Sequence, residues 1–287
     1  MADARLKQAI ANKEFVVAPG VFDLISALMA NSMDFKALYV TGYGTVASYL
    51  GVPDAGIATY RDMLERIAQI CKRTELPVIA DADTGYGGLL NVRTTVEGYE
   101  AAGVTAMQME DQEFPKKCGH TPFRKVIPTS EMQRKIEVAA KARKSDDFLI
   151  IARTDSRTSL GIDEAIARGK AYAEAGADMV FIESPESEAE MLAVAEAVKA
   201  PLFANMVNGG RTPLLSADRL AEMGYSIAIH PAVGFLAVTR ALQKAYGDLL
   251  AHGETTDAVD LYSFAEMNKL LGFEDIWSFE KEWAEAV

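Results

Sequence analysis

Residues 77–111 read PVIADADTGYGGLLNVRTTVEGYEAAGVTAMQMED and contain one repeating unit of the predicted fold. An apolar run ends in Asp81 and Asp83, and a stretch with apolar residues three and four apart follows, ending at Gly103 before a second apolar run. Continuous apolar runs are typical of buried parallel strands, and the spacing between them predicts an amphipathic helix that glycine terminates. The segment therefore predicts a strand–helix–strand unit with acidic residues at the strand ends.

The same alternation extends in both directions along the chain. The predicted strands are FVVAPG from Phe15, ALYVTG from Ala37, PVIADAD from Pro77, AMQMED from Ala106, FLIIART from Phe148, DMVFIES from Asp178, PLFANM from Pro201 and YSIAIHP from Tyr225. Helical spacing lies between them, clearly so at 63–73 and 163–176. Eight βα units in series favour an α/β fold of the (β/α)8 TIM barrel type. A doubly wound open sheet is the alternative, but Gly-x-Gly-x-x-Gly does not follow the first strand.

The pattern changes after Gly253. Residues 254–287 contain two helix-like segments with Trp277 and Trp283, more apolar surface than an isolated tail should expose. We therefore predict a catalytic barrel domain at 1–253 and a C-terminal helical extension at 254–287. We expect the extension to pack on a neighbouring subunit, and the alternative is that it folds back on its own barrel.

The composition argues against several classes of function. The net charge of −12 opposes nucleic-acid binding, because phosphates need positive side chains to neutralise them. Two cysteines form no disulfide framework. The N-terminus lacks the apolar core of a signal peptide, and apolar runs stay well below the roughly 20 residues of a membrane span. These features predict a cytoplasmic protein that binds neither nucleic acid nor membrane.

Acidic residues are concentrated where the predicted strands end, at the face that carries the active site in TIM barrels. Asp81 and Asp83 are two residues apart, so their side chains point to the same side of a strand, and Glu110 ends the next strand. Three carboxylates at this range repel each other. Mg²⁺, or alternatively Mn²⁺, would relieve the repulsion because both prefer oxygen ligands. The alternative is two helix-capping aspartates and a surface glutamate.

Cys118 follows the fourth strand in the segment EDQEFPKKCGHTPFRK. Lys116, Lys117 and His120 surround it in sequence, and nearby positive charge lowers the pKa of a thiol. Such a thiol can exchange a proton with a substrate. The alternatives are a nucleophilic cysteine, for which the sequence establishes no Cys–His–Asn arrangement, and an incidental loop cysteine.

Two further features of the strand ends suit a bound carboxylate. Arg153 ends an apolar strand, where its guanidinium needs an anion. That anion is either a substrate carboxylate or an internal partner such as Asp155 or Glu183. The segment 41–44, Thr-Gly-Tyr-Gly, is predicted to form a flexible turn whose backbone N–H groups could hold a carboxylate.

Taken together, these segments resemble the isocitrate lyase/phosphoenolpyruvate mutase superfamily. The resemblance extends through TGYGTVASYLGVPDAG, DADTGYGG, MEDQEFPKKCGH, IARTDSR and NMVNGGRTP, and it is most specific in the combination of DADTGYG with KKCGH. It implies a TIM barrel with a swapped C-terminal helix, a homotetramer built as a dimer of helix-swapped dimers, and Mg²⁺ that binds 2-hydroxy or 2-oxo diacids. The branch that contains dimethylmalate lyases, petal death protein and methylisocitrate lyases is the most similar.

The resemblance also implies a role for each matching residue. The metal site is expected at Asp81, Asp83 and Glu110, and the catalytic residues are expected at Cys118, Tyr39 and Asp54. The substrate-binding residues are expected to be Thr41, Gly42, Tyr43, Gly119, His120, Arg153, Glu183 and Asn205.

The implied activity is Mg²⁺-dependent carbon–carbon lyase chemistry of the retro-Claisen type. It cleaves a 2-hydroxy dicarboxylate, such as 2,3-dimethylmalate, to pyruvate and a carboxylic acid. Leu236 stands where methylisocitrate lyases carry an arginine for an additional carboxylate, which favours a diacid, and Asn208 stands where relatives commonly have Glu. The alternatives are a 2-methylisocitrate lyase, an oxaloacetate acetylhydrolase, a carboxyphosphonoenolpyruvate-type phosphonomutase and a non-catalytic metabolite-binding barrel.

Overall fold

The computed structural model describes residues 2–119 and 124–284. Eight parallel strands close into a barrel in chain order, with β8 paired to β1. The strands are β1 Val16–Val21, β2 Leu38–Val40, β3 Val78–Asp81, β4 Ala106–Glu110, β5 Leu149–Thr154, β6 Met179–Ile182, β7 Leu202–Asn205 and β8 Tyr225–His230. All eight predicted strands and the (β/α)8 fold are confirmed, and the doubly wound alternative is wrong.

Helices follow the strands and cover the outside of the barrel. They are α1 Ala4–Ala11, α2 Leu24–Asn31, α3 Gly42–Leu50, α4 Tyr60–Arg73, α5 Leu89–Ala102, α6 Thr129–Ala142, α7 Arg157–Leu160, α8 Ile162–Glu174, α9 Glu188–Ala197, α10 Ala217–Glu222, α11 Val233–His252, α12 Phe264–Leu270 and α13 Phe273–Trp283. The ends of the helices follow the local sequence. Thr59 and Asp62 form a capping box at the start of α4, and Gly103 ends α5 with a left-handed φ of 97°.

The core has an inner and an outer layer because successive strand side chains point to opposite faces. Inside the barrel, Val16, Ile79, Ile151 and Phe203 pack together, and α1 adds Leu6 to this cluster. The outward-facing strand residues pack against the helices. Since both faces of each strand are covered, the strands are apolar along nearly their whole length, as the sequence indicates.

The register of the strands brings the polar strand ends to one level of the barrel. Asp81 pairs with Gln108 across β3 and β4, and Glu110 pairs with Arg153 across β4 and β5. Side chains that are far apart in the sequence therefore share the carboxyl end of the barrel.

The last three helices differ from the rest of the fold. Within the described part of the chain, α11, α12 and α13 contain no buried side chain. Trp277 and Trp283 are 52% and 68% exposed. In this chain the extension therefore does not bury its apolar side chains on its own barrel. Among the described residues, none of the helices has both the length and the apolar character that a membrane span requires.

Candidate active site

A cavity of about 260 Å³ opens at the carboxyl ends of the strands. Eleven of the predicted site residues line it: Tyr39, Thr41, Tyr43, Asp54, Asp81, Glu110, Cys118, Gly119, Arg153, Glu183 and Asn205. Gly42 and Asp83 do not line the cavity but lie next to Asp81. A Cβ atom added to Gly42 would be 2.5 Å from Asp81 Oδ2 and 3.6 Å from Asp83 Oδ1. His120 lies outside the described residues. The structure therefore brings the predicted residues it describes to one cavity.

Asp83 and Asp54 share a buried lysine. Lys116 Nζ lies 2.5 Å from Asp54 Oδ1 and 2.6 Å from Asp83 Oδ1, and the lysine side chain is 4% exposed. Sequence reasoning treated Lys116 as part of the positive surroundings of Cys118, and it missed this ion pair. The cue that was available is the position of Lys116 in the loop that follows the strand of Glu110. Lys116 thus supplies part of the positive charge that the acidic cluster needs.

Burial dominates the ionisation of this cluster. Burial raises the pKa of Asp83 to about 7, and Lys116 opposes the rise while Asp81 and Asp54 add to it. Burial also raises the pKa of Glu110 well above its usual range, against the attraction of Arg153. For Lys116, burial alone would lower the pKa, but the carboxylates of Asp83, Glu110 and Asp54 outweigh it and raise the pKa. Lys116 and Arg153 therefore do not fully compensate the buried carboxyl groups, and additional positive charge would stabilise their ionised forms.

The donor set fits a hard divalent cation that keeps part of its water shell. Glu110 Oε1 is buried and has no hydrogen-bond partner. Within 2–119 and 124–284, no group of three or more His, Cys, Asp or Glu side chains is placed so that it could hold a metal ion. Mg²⁺ is usually bound by one or two carboxylates, with waters and substrate oxygens completing its octahedron. One or two of the carboxylates of Asp81, Asp83 and Glu110 would suffice for that mode, and the role of all three as metal ligands stays a prediction.

Arg153 is held by carboxylates inside the protein. Its guanidinium donates to Asp155 at 2.9 Å and lies 3.3 Å from Glu110 and 3.4 Å from Glu183. It also lies over the Phe181 ring, 5.1 Å from the centroid. The alternative of an internal salt bridge is thus confirmed. Arg153 also lines the cavity, and substrate binding by Arg153 stays a prediction.

The segment 41–44 is not a flexible turn, so that part of the prediction is wrong. Thr41 is the N-cap of α3, and Gly42 is its first residue. The first backbone N–H groups of a helix have no partner within the helix and attract anions. The lack of a side chain at Gly42 lets this helix end approach Asp81 closely. The segment is therefore more rigid than predicted, and its role in binding a carboxylate stays a prediction.

The Cys118 loop lies against the cavity through its backbone. Cys118 N–H donates to the Asp54 carbonyl at 3.2 Å, and the cysteine is partly exposed. Gly119 packs so closely against Arg153 that an added Cβ would collide with the guanidinium. A glycine is thus required beside Cys118 for the loop to reach this position.

Two buried side chains connect the predicted residues, and sequence reasoning missed both. Gln108 Nε2 donates to Asp81 Oδ1 at 3.3 Å, and Gln108 Oε1 accepts from Tyr39 Oη at 2.7 Å. Asp111 accepts the Asp155 backbone N–H at 2.9 Å, which orients the carboxylate that holds Arg153. The signal for Gln108 was its position two residues before Glu110, on the same face of the strand.

Tyr39 is suited to hydrogen bonding rather than to proton abstraction. Its side chain is 2% exposed, and burial raises the pKa of the phenol well above its usual range, with the carboxylate of Asp81 adding to the rise. The hydroxyl therefore stays protonated near neutral pH.

A (β/α)8 barrel with an acidic cluster, a helix N-terminus and an arginine at the carboxyl ends of its strands is typical of enzymes that act on small carboxylates with the help of a metal ion. The chain belongs to the phosphoenolpyruvate phosphomutase family, whose profile matches residues 6–250. This confirms the superfamily resemblance.

Named relatives narrow the position of the chain within the family. It is 45% identical to 2,3-dimethylmalate lyase of Eubacterium barkeri over 98% of both chains. A crystal structure of a 2,3-dimethylmalate lyase, described as a PEP mutase/isocitrate lyase superfamily member, superposes with a TM-score of 0.92 at 37% identity and covers 100% of this chain and 97% of that one. Phosphonopyruvate hydrolase in complex with oxalate and Mg²⁺ superposes with a TM-score of 0.88 at 31% identity, covering 99% of this chain and 100% of that one.

Proposed function

We propose that the protein is a Mg²⁺-dependent lyase that cleaves the C2–C3 bond of a 2-hydroxy dicarboxylate to pyruvate and a carboxylic acid. The first candidate substrate is 2,3-dimethylmalate. The observation that carries the proposal is the meeting of Cys118 with the acidic cluster and Arg153 in one cavity. The similarity to 2,3-dimethylmalate lyase over nearly the whole chain supports the same substrate class.

The cavity is lined by apolar as well as charged residues. Its apolar wall contains Val207, Ile229, Phe235 and Leu236, and Phe235 stacks on Tyr43 with ring centroids 5.1 Å apart. An apolar wall suits methyl substituents. A third carboxylate against Leu236 would lack a positive partner, and because Leu236 is 48% exposed, solvent screening limits this penalty to about 1 kcal/mol. The wall therefore favours a methylated diacid over a tricarboxylate.

Each of the site residues has a separate role in the proposed reaction. The amides that begin α3 at Gly42 and Tyr43, together with Arg153, hold substrate carboxylates. Asp54 is the favoured acceptor for the C2 hydroxyl proton, because Tyr39 keeps its own proton. Bound Mg²⁺ would be held by Asp81, Asp83 and Glu110 and would polarise the oxygens of C1 and C2. Cys118 then protonates the carbanion that forms at C3 when the bond breaks.

We further propose that the functional unit is a cytoplasmic homotetramer, built as a dimer of helix-swapped dimers. Residues 254–287 would form an extension that lies on the barrel of a neighbouring subunit. The exposed aromatic side chains of α12 and α13, such as Phe264 at 83% and Trp277 at 52%, support this arrangement. The proposed ligands are small diacids, with neither nucleic acid nor membrane as a partner.

A substrate panel tests the proposal. Purified protein with Mg²⁺ is incubated with malate, 2-methylmalate, 2,3-dimethylmalate, 2-methylisocitrate, isocitrate and oxaloacetate, and 2-oxo acid and oxalate are measured. Pyruvate release with the highest kcat/KM on a methylated malate supports the proposal. Oxalate from oxaloacetate as the main product would instead assign hydrolysis, and highest activity on 2-methylisocitrate would assign a tricarboxylate. Binding of the panel without turnover would contradict enzyme function.

A further inference from the structure

Gln108 lies beneath the cavity, and the proposed chemistry gives it no role. It is fully buried on β4, directly below Glu110 on the inner face of the barrel. Its amide connects two residues that line the cavity, with Nε2 on Asp81 Oδ1 and Oε1 on Tyr39 Oη. Both ends of the Gln108 amide form hydrogen bonds, and one end donates while the other accepts. Whether Asp81 accepts or donates therefore decides whether Tyr39 donates or accepts.

The orientation of the Gln108 amide is determined by the backbone N–H of Asp83. The N–H of Asp83 donates to Asp81 Oδ1 at 3.0 Å, and a backbone N–H can only donate. Asp81 Oδ1 is therefore an acceptor, and the NH₂ end of Gln108 must face it. The carbonyl end then faces Tyr39 at 2.7 Å, so the phenol must donate its proton to Gln108. A phenol has one proton, and Tyr39 can present only lone pairs to a ligand.

Asn205, which also lines the cavity, adds a second hydrogen-bond acceptor to the one that Tyr39 provides. Asn205 Nδ2 donates to Glu183 Oε2 at 3.0 Å, which leaves Asn205 Oδ1 as an acceptor. Asn205 Oδ1 is buried and has no hydrogen-bond partner among the described residues. A ligand that brings a donor to this depth of the cavity improves the hydrogen bonding, whereas a ligand that brings only lone pairs does not.

We propose that Gln108 is a positioning residue that sets ligand specificity at C2, by holding the Tyr39 hydroxyl as an acceptor that favours a 2-hydroxy acid over a 2-oxo acid. The inference rests on the proposed function and states which oxidation level at C2 the site prefers. In the bound substrate the C2 hydroxyl donates to Tyr39, and Asp54 takes that proton only when the C2–C3 bond breaks. A carbonyl oxygen at C2 has no proton to donate and meets the lone pairs of Tyr39. The same preference weakens the binding of a 2-oxo product once the bond has broken.

Lactate and pyruvate provide a matched pair of ligands, because they differ only at C2. Their dissociation constants are measured by calorimetry at saturating Mg²⁺, so that a change in metal affinity does not enter. Gln108→Met keeps the volume of the side chain but removes both amide contacts, which frees the phenol proton to turn towards the ligand. We expect the lactate preference, defined as the pyruvate Kd divided by the lactate Kd, to fall about fivefold to tenfold, the value of one neutral hydrogen bond.

Tyr39→Phe separates the two routes by which Gln108 could act. It is expected to lower the lactate preference as well, and Gln108→Met should then cause no further change. If Gln108→Met shifts the ratio equally with Phe at position 39, Gln108 acts through Asp81 and the inference is wrong. An unchanged ratio in Gln108→Met also overturns it. Should that variant not fold, Tyr39→Phe alone decides, since an unchanged ratio there removes the basis of the inference.

Gln133→Met is the matched control. Gln133 lies on α6, and its Nε2 donates to the Ala171 carbonyl at 3.4 Å, away from the cavity. The lactate preference should stay as in the unmodified protein. Because the measurement uses binding without turnover, inactivity on the diacid panel would contradict the proposed lyase and still leave the ratio readable.

Discussion

The cavity at the carboxyl ends of the strands, called the mouth below, contains buried polar atoms without hydrogen-bond partners among the described residues. The C-terminal helices α11 to α13 instead leave large apolar side chains exposed. At the mouth, Glu110 Oε1 is buried without a hydrogen bond, and burial keeps the pKa of Asp83 high. On α11 to α13, Leu250 is 89% exposed and Trp283 is 68% exposed. An unpaired buried polar atom costs about 1–3 kcal/mol, and an exposed large apolar side chain forgoes a similar amount.

The difference indicates the size and chemistry of what each region binds. A cavity of about 260 Å³ with excess acceptors accommodates a cation and a small polar molecule. A row of exposed aromatic and aliphatic side chains over three helices needs an apolar surface of the size that another protein chain provides. The two regions should therefore respond independently to substitution, and the predictions that follow test that independence.

The largest effect is expected for Cys118→Ser at the mouth. Replacing the proposed proton donor should lower kcat by roughly 10²–10⁴-fold, the usual contribution of a general acid. Binding of a substrate analogue and the oligomeric mass should stay unchanged. Steady-state kinetics, calorimetry and light scattering measure these quantities.

Cys71→Ala is the control for that experiment. Cys71 lies on α4, where burial raises the pKa of its thiol to about 12, so it is almost entirely un-ionised at neutral pH. Removing it should leave kcat nearly unchanged. Turnover by Cys118→Ser within a few-fold of normal would show that the proton comes from another group.

The next effect is expected at the other region, for the double substitution Trp277→Glu and Trp283→Glu. Each large aromatic residue at a subunit contact contributes about 2 kcal/mol or more, so the double variant should dissociate at micromolar concentration. Analytical ultracentrifugation measures the mass. Glu280→Gln, on the exposed surface of α13, should keep the assembly intact. An unchanged mass in the double variant would contradict subunit packing through these residues.

The sequence predicts those features of the two regions that depend on residues close together in the chain, and it misses contacts between distant segments. Strand runs such as 148–154 and the glycine that ends α5 are local signals, and the parallel register then carries strand-end residues to one level. The ion pair of Lys116 and the hydrogen bonds of Gln108 were missed because the partners, Asp54 and Tyr39, come from distant segments. The sequence indicates that the extension is too apolar to stand alone, but the local pattern does not identify a surface that would cover it.

A smaller effect at the mouth is expected for Asp81→Asn. The substitution keeps the shape of the side chain and removes one negative charge from the cluster. Mg²⁺ affinity, measured by calorimetry, should fall by about tenfold or more, since Mg²⁺ strongly prefers carboxylate oxygens. Asp23→Asn, at the N-cap of α2, is the matched control and should leave the affinity unchanged. Equal Mg²⁺ affinity in both variants would exclude Asp81 as a metal ligand.

The smallest effect is expected where the two regions meet, on α11. Leu236 lines the cavity near the start of this helix, although it is 48% exposed. Leu236→Arg gives a third substrate carboxylate a positive partner, and solvent screening limits the gain to about 1 kcal/mol. The ratio of kcat/KM for 2-methylisocitrate to that for 2,3-dimethylmalate should therefore rise about fivefold. Leu242→Arg, farther along the same helix and 44% exposed, introduces the same charge outside the cavity. An equal rise in both variants would trace the change to long-range attraction, and the wall at Leu236 would then not select the substrate.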